Sequence, residues 1–150
     1  MIESQEIHFN KSPILLLEDS RHEVVLFRHT LKEFTVENEL IIAENGEEGI
    51  EYLKKGNDLP AFILLDINMP KMNGFEFLEI IKADPIFKCI PVIVLTSSNR
   101  REDRSKAFSM GVSGYMTKPL DLNQYRIIVK TILDYWRLSE SYFLPKTDNE

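Results

Sequence analysis

At 150 residues, 43% hydrophobic and 28% charged, the chain has the size and composition of one globular domain with its own core, and not those of a disordered protein. Its formal net charge of −6 argues against nucleic acid or an anionic membrane as the main partner. No apolar run approaches the roughly 20 residues that cross a bilayer, no secretory h-region precedes Ser12, and a lone cysteine, Cys89, excludes an internal disulfide and fits a reducing cytoplasm.

Residues 1–12 read as a polar leader. Pro13-Ile14-Leu15-Leu16-Leu17 is an apolar run of strand length that ends on Glu18 and Asp19. Ser20 with Glu23 three residues on has the pattern of a capping box, opening a helix that carries Val24, Phe27, Leu31 and Phe34 at helical spacing. A short strand follows over 39–43, and Asn45 with Glu48 caps a second helix to about Lys55. The run Ala61-Phe62-Ile63-Leu64-Leu65 reads as a strand buried on both faces, and it stops on Asp66 before the breakers Asn68, Pro70, Asn73 and Gly74. Phe75, Phe77, Leu78 and Ile81 mark a third helix, ended near Asp84-Pro85. Residues 91–95 form a fourth strand that ends on Thr96-Ser97-Ser98. A charged helix spans about 100–110, with Arg100, Arg101 and Arg104 on a solvated face and Gly111 as its terminator. The fifth strand, 114–117, ends on Lys118-Pro119. Asp121 with Gln124 then caps a long last helix carrying Leu122, Tyr125, Ile128, Ile132 and Trp136. The expected division is a leader at 1–12, one domain at 13–138 and a C-terminal extension at 139–150. Cys89 reads as a small buried apolar residue.

Strands alternating with helices predict βαβ units and, with right-handed crossovers, a doubly wound parallel sheet. In such a sheet the carboxyl ends of the strands share one edge, where ligands bind. That edge would gather Glu18, Asp19, Asp66, Thr96 and Lys118. Several carboxylates together repel unless a cation joins them, and an all-oxygen set suits Mg²⁺ or Mn²⁺. Asp66 can then serve as a carboxylate nucleophile toward a phosphoryl group. Lys118 offers a point charge to one phosphoryl oxygen and the Thr96 hydroxyl donates to another. Each residue alone has a plainer reading: a loop-capping Asp66, a solvated Glu18-Asp19 pair, a capping Thr96, a surface Lys118. None of these explains the coincidence at sibling strand ends.

The chain resembles the receiver domain of two-component signalling over residues 12–138. The resemblance rests on the acidic pair Glu18-Asp19, on Asp66 with its Met69-Pro70…Gly74 loop, on Thr96, and on Lys118-Pro119. It implies a flavodoxin-like (βα)5 fold with strand order 2-1-3-4-5 and an extended C-terminal helix. It implies a Mg²⁺ (or Mn²⁺) site formed by Asp19, Asp66 and the backbone carbonyl of Asn68, with Glu18 acting largely through water. It implies a coupled switch of Thr96 and Tyr115, a cis Lys118–Pro119 bond, and residues at Asn68 and Ser98 that tune dephosphorylation. Glu18 departs from the Asp that many relatives carry, which shifts metal affinity modestly.

The function expected is that of a single-domain response regulator, phosphorylated on Asp66 by a sensor histidine kinase and not otherwise an enzyme. Its signal would pass by contact with a downstream protein or to a phosphotransfer protein. The chain looks like the small regulators paired with bacterial phytochromes in its length, its first strand and its aromatic extension (Tyr135, Leu138, Tyr142, Phe143). That apolar surface predicts a homodimer through the last two helices and the extension. Two rivals stand beside this reading. An Asp-nucleophile phosphatase would carry a second Asp two residues on, where this chain has Asn68. A pseudo-receiver that only binds partners usually lacks part of the acidic set, which is complete here.

Overall fold

The structure, a computed structural model, describes residues 12–56 and 58–139. The leader to residue 11, with His8, and the extension from 140, with Tyr142 and Phe143, lie outside the described residues.

Five strands and five helices alternate. They are β1 (Ile14–Leu17), α1 (Arg21–Glu33), β2 (Leu40–Ala43), α2 (Gly46–Lys54), β3 (Phe62–Leu65), α3 (Gly74–Lys82), β4 (Val92–Thr96), α4 (Arg101–Ser109), β5 (Gly114–Thr117) and α5 (Leu122–Leu138). One short 3₁₀ turn, Phe87–Cys89, precedes β4 and is not signalled by the apolar pattern. The strands pair in the order β2-β1-β3-β4-β5, all parallel, as the resemblance implies.

Every residue of β1, β3 and β4 is buried, because helices cover both faces of the sheet. Side chains alternate between two cores, as strand geometry requires. Leu15, Leu17, Ile63, Leu65, Val92 and Val94 meet Leu53 of α2, Phe77, Leu78 and Ile81 of α3 and Ala107 of α4. Ile14, Leu16, Phe62, Leu64, Ile93 and Leu95 meet Phe27 and Leu31 of α1 and Tyr125, Val129, Ile132 and Leu133 of α5. Each such side chain contributes roughly 1.5–3 kcal/mol by leaving water. Trp136 stacks on Phe62 with ring centroids 5.6 Å apart, so the last helix is pinned at the amino end of β3.

The helix starts show where sequence patterns hold. Ser20, Asn45, Asn73 and Asp121 each accept a hydrogen bond from the backbone N–H three residues on. Only Asn73-Glu76 closes a reciprocal capping box, with bonds of 2.9 and 3.0 Å. The box expected at Ser20-Glu23 is half made, because Ser20 N–H is taken by Glu18. Cys89 is exposed, not buried: it closes the 3₁₀ turn, and the neighbouring Ile90 enters the core in its place. The Lys118–Pro119 bond is trans, as are all peptide bonds among the described residues, and trans remains the better isomer before proline by about 0.5–1 kcal/mol.

Candidate functional site

Parallel pairing brings Leu17, Leu65 and Thr96 to one edge of the sheet, and the residues after them turn into a shared cleft. Glu18 N–H donates to Ala43 O at 2.9 Å and Asp66 N–H to Leu17 O at 3.1 Å, so both carboxylates are carried on strand hydrogen bonds rather than on free loops. Lys118 N–H donates to Thr96 O at 2.7 Å and fixes the start of the last loop in the same way.

Asp66 lies at the centre and is 7% exposed. Its Oδ1 accepts from Thr96 Oγ1 at 2.8 Å and from Asn68 N–H at 3.1 Å. Its Oδ2 faces Lys118 Nζ at 3.4 Å. One carboxylate oxygen is therefore held by neutral donors while the other points at a cation. Glu18, 3% exposed, makes a short ion pair to Lys118 through Oε1 and accepts from Ser20 N–H through Oε2 at 3.1 Å. Asp19 is exposed on the rim.

Burial is the largest influence on Glu18 and raises its pKa to about 7, against the opposing pull of Lys118. Burial alone would lower Lys118, but its bond to Glu18 and the charges of Asp66, Glu18 and Glu23 outweigh it and hold the ammonium above its ordinary value. The two directions have different causes: Glu18 is raised by its removal from water, and Lys118 by the carboxylates around it.

Glu18, Asp19 and Asp66 each offer an oxygen, all within 4.8 Å of one another. Their unbalanced charge and hard oxygen donors fit a divalent cation such as Mg²⁺ or Mn²⁺. The family resemblance assigned Glu18 a remote role and Asp19 a direct one. The structure buries Glu18 against Lys118 and leaves Asp19 facing solvent, so the pair divides into an inner and an outer carboxylate.

The expected switch residues are joined through the backbone of Ser98. Thr96 Oγ1 accepts from Ser98 N–H at 3.3 Å, and Tyr115 Oη donates to Ser98 O at 2.9 Å. Ser98 Oγ donates to Asp103 Oδ2 of α4 at 2.6 Å. Asp66, Thr96, Ser98 and Tyr115 thus form one hydrogen-bonded chain from the cleft to the α4–β5 face.

The family model for the response regulator receiver domain matches residues 14–130. The chain belongs to that family. This receiver is 37% identical over 128 residues to the response regulator Rcp1 of Synechocystis sp., covering 82% of this chain and 87% of Rcp1. Its fold superposes on the phosphorylated cyanobacterial phytochrome response regulator RcpA with a TM-score of 0.81 and 35% identity, over 87% of this chain and 96% of RcpA. The Mn²⁺-bound form of Rcp1 gives the same TM-score at 34% identity, over 89% of this chain and 99% of that one.

All eight residues singled out from the sequence, Glu18, Asp19, Asp66, Asn68, Thr96, Ser98, Tyr115 and Lys118, border the cleft or its hydrogen-bonded chain. One participant has no site role in the sequence pattern. Glu23 reaches Lys118 at 3.9 Å, and its sequence signal, one helical turn beyond Glu18-Asp19, was absorbed by the capping pattern. Ser98, which the resemblance marks for tuning dephosphorylation, also joins Thr96 to Tyr115 through its main chain, a role that no residue pattern reports.

Proposed function

We propose that Asp66 accepts a phosphoryl group from the phosphohistidine of a sensor kinase. The observation that carries this reading is the asymmetric environment of its carboxylate, with Oδ1 held by Thr96 and Asn68 N–H and Oδ2 opposite Lys118. An Asp66 oxygen attacks phosphorus, the P–N bond to the donor imidazole breaks, and the imidazole nitrogen keeps the electron pair and takes up a proton. Lys118 pairs with one oxygen of the transferring group and the Thr96 hydroxyl leaves Oδ1 to donate to another. Asp19, Asp66 and the Asn68 carbonyl, with Glu18 behind them, would hold the divalent ion, whose chemistry is neutralisation of phosphoryl charge. The chain then catalyses only its own phosphorylation and dephosphorylation.

The movement of Thr96 toward the phosphoryl group breaks the chain through Ser98 and frees Tyr115, which shifts a two-state equilibrium at the α4–β5 face. We assign residues 13–138 to the receiver, 1–12 to a leader and 139–150 to an extension. The described relatives include cyanobacterial phytochrome regulators, which supports a phytochrome-type kinase as the donor. No helix among the described residues is long and apolar enough to cross a membrane, and with the lone Cys89 this supports a cytoplasmic setting. Output passes through protein contacts, to a target or a phosphotransfer protein.

Intact mass after incubation with acetyl phosphate and Mg²⁺ tests the acceptor. One phosphoryl group is expected on wild type, none with EDTA and none on Asp66→Asn; an adduct that survives in the variant would move the acceptor elsewhere. Exposed Phe108, Leu122, Ile127, Tyr135 and Leu138 on α4 and α5 support a homodimer through those helices and the extension. Light scattering at micromolar concentration should return twice the 17.5 kDa of the chain, and a monomer mass would exclude the dimer.

A further inference from the structure

Glu23 has the position of a capping residue and the contacts of a site residue. The backbone donor that a capping box would offer it, Ser20 N–H, is bonded to Glu18 Oε2 at 3.1 Å. The Ser20 side chain still accepts from Glu23 N–H at 3.3 Å, so the helix start is held by the main chain and the Glu23 carboxylate is left over. It lies 3.9 Å from Lys118 Nζ.

Lys118 therefore faces three carboxylates, those of Glu18, Glu23 and Asp66. Its 3.4 Å contact to Asp66 is longer than the ~2.7–2.9 Å of a good charge-assisted bond, whereas its contact to Glu18 is short. The ammonium is drawn toward Glu18, between β1 and α1, and away from the acceptor, with Glu23 of α1 3.9 Å away. Of the two carboxylates on that side, Glu18 is buried and tied to Ser20, so moving it would strand a buried charge. The Glu23 side chain is 30% exposed and can swing into water at little cost.

We propose that Glu23 is a positioning residue of the phosphoacceptor site, a counter-ion that tethers Lys118 on the Glu18 side and yields it to the incoming phosphoryl group. This rests on Asp66 being the acceptor. The tether opposes phosphorylation twice. It holds the lysine off the acceptor, and it adds a negative charge beside Lys118 that repels an anionic donor.

Glu23→Gln keeps the Ser20 cap, which uses only the Glu23 main chain, and removes the charge. At saturating Mg²⁺ the second-order rate constant for phosphorylation by dianionic acetyl phosphate is expected to rise about threefold to tenfold. The gain should be smaller with monoanionic phosphoramidate, and smaller again at high salt. Glu51→Gln, which removes an equal charge from an exposed pair with Lys55 on α2, should leave the rate unchanged. Melting temperatures confirm that the variants fold, and Glu23→Ala should repeat the direction. A Glu23→Gln rate equal to or below wild type overturns the proposal, as does an equal gain in Glu51→Gln. A wild type that gains no phosphoryl group overturns the Asp66 reading itself, and this proposal with it.

Discussion

Gly74→Ala is expected to lower the melting temperature by about 3–10 °C and to slow phosphorylation of Asp66 tenfold or more. Gly74 opens α3, where alanine is ordinarily the better helix former by up to about 1 kcal/mol. Its surroundings reverse that sign. A Cβ there would sit 2.6 Å from Ile67 Cα and 2.9 Å from the Asp66 carbonyl oxygen. Both are backbone atoms of the segment that carries the acceptor, and Gly74 N–H donates to Ile67 O at 3.1 Å across the same gap. No rotamer relieves the clash, so the loop from β3 must move. Overpacking of this kind costs about 1–3 kcal/mol, and a 150-residue domain loses roughly 2–4 °C per kcal/mol. Displacement of Asp66 by even part of an ångström misaligns it with Lys118 and Thr96, hence the loss of rate. Thermal melts and acetyl phosphate kinetics measure the two effects together. A variant with native values of both would mean that the β3–α3 loop adapts freely.

The second large effect is the dependence of stability on pH and divalent metal. The Glu18 pKa is raised from 4.5 to about 7 in the folded state. A carboxyl raised on folding favours the fold most when protonated. Its contribution is fully present below about pH 4.5 and is lost as pH rises through 7. The full shift corresponds to an upper bound of about 3 kcal/mol. Glu18→Gln does not titrate, so the wild-type melting temperature should fall relative to that variant between pH 5 and 8 in EDTA. Added Mg²⁺ should reverse the loss, most strongly at pH 8, above the Glu18 pKa of about 7. At a hundredfold excess over Kd the gain is about 2.7 kcal/mol, roughly 5–10 °C. A pH-independent difference between wild type and Glu18→Gln would show that the Lys118 ion pair, and not burial, governs Glu18.

Much of the site was legible because parallel sheets place strand ends together. Thr96 and Lys118 lie 30 and 52 positions from Asp66, yet Asp66 and Thr96 each follow an apolar run of strand length and Lys118 follows the short strand Gly114–Thr117. The periodicity located the ends, and the βαβ order aligned them. Side-chain direction was less legible. Glu18 and Asp19 are adjacent, so one faces inward and the other outward, and nothing in their order says which. Only the position of Lys118 decides it. Glu23 shows the complementary failure: a local pattern was correct in type, but Glu18 had already claimed the Ser20 N–H and released the longer side chain to a tertiary partner. Cys89 was misplaced because a single 3₁₀ turn shifts which residue meets the core, and three residues carry no usable period.

By itself the sequence determined the class of fold, the order and type of its five βα units, the helix N-caps Ser20, Asn45 and Asp121 and most of the residues at the cleft. These follow from local periodicity and from hydrogen-bonding options within a few residues of each other. The tertiary structure alone decided which of Glu18 and Asp19 faces Lys118, that a third carboxylate, Glu23, reaches it beside Glu18 and Asp66, and that Thr96 and Tyr115 meet through the backbone of Ser98. Those outcomes are competitions for single donors and acceptors between distant segments. A competition of that kind is settled by distance, and distance exists only once the chain has folded.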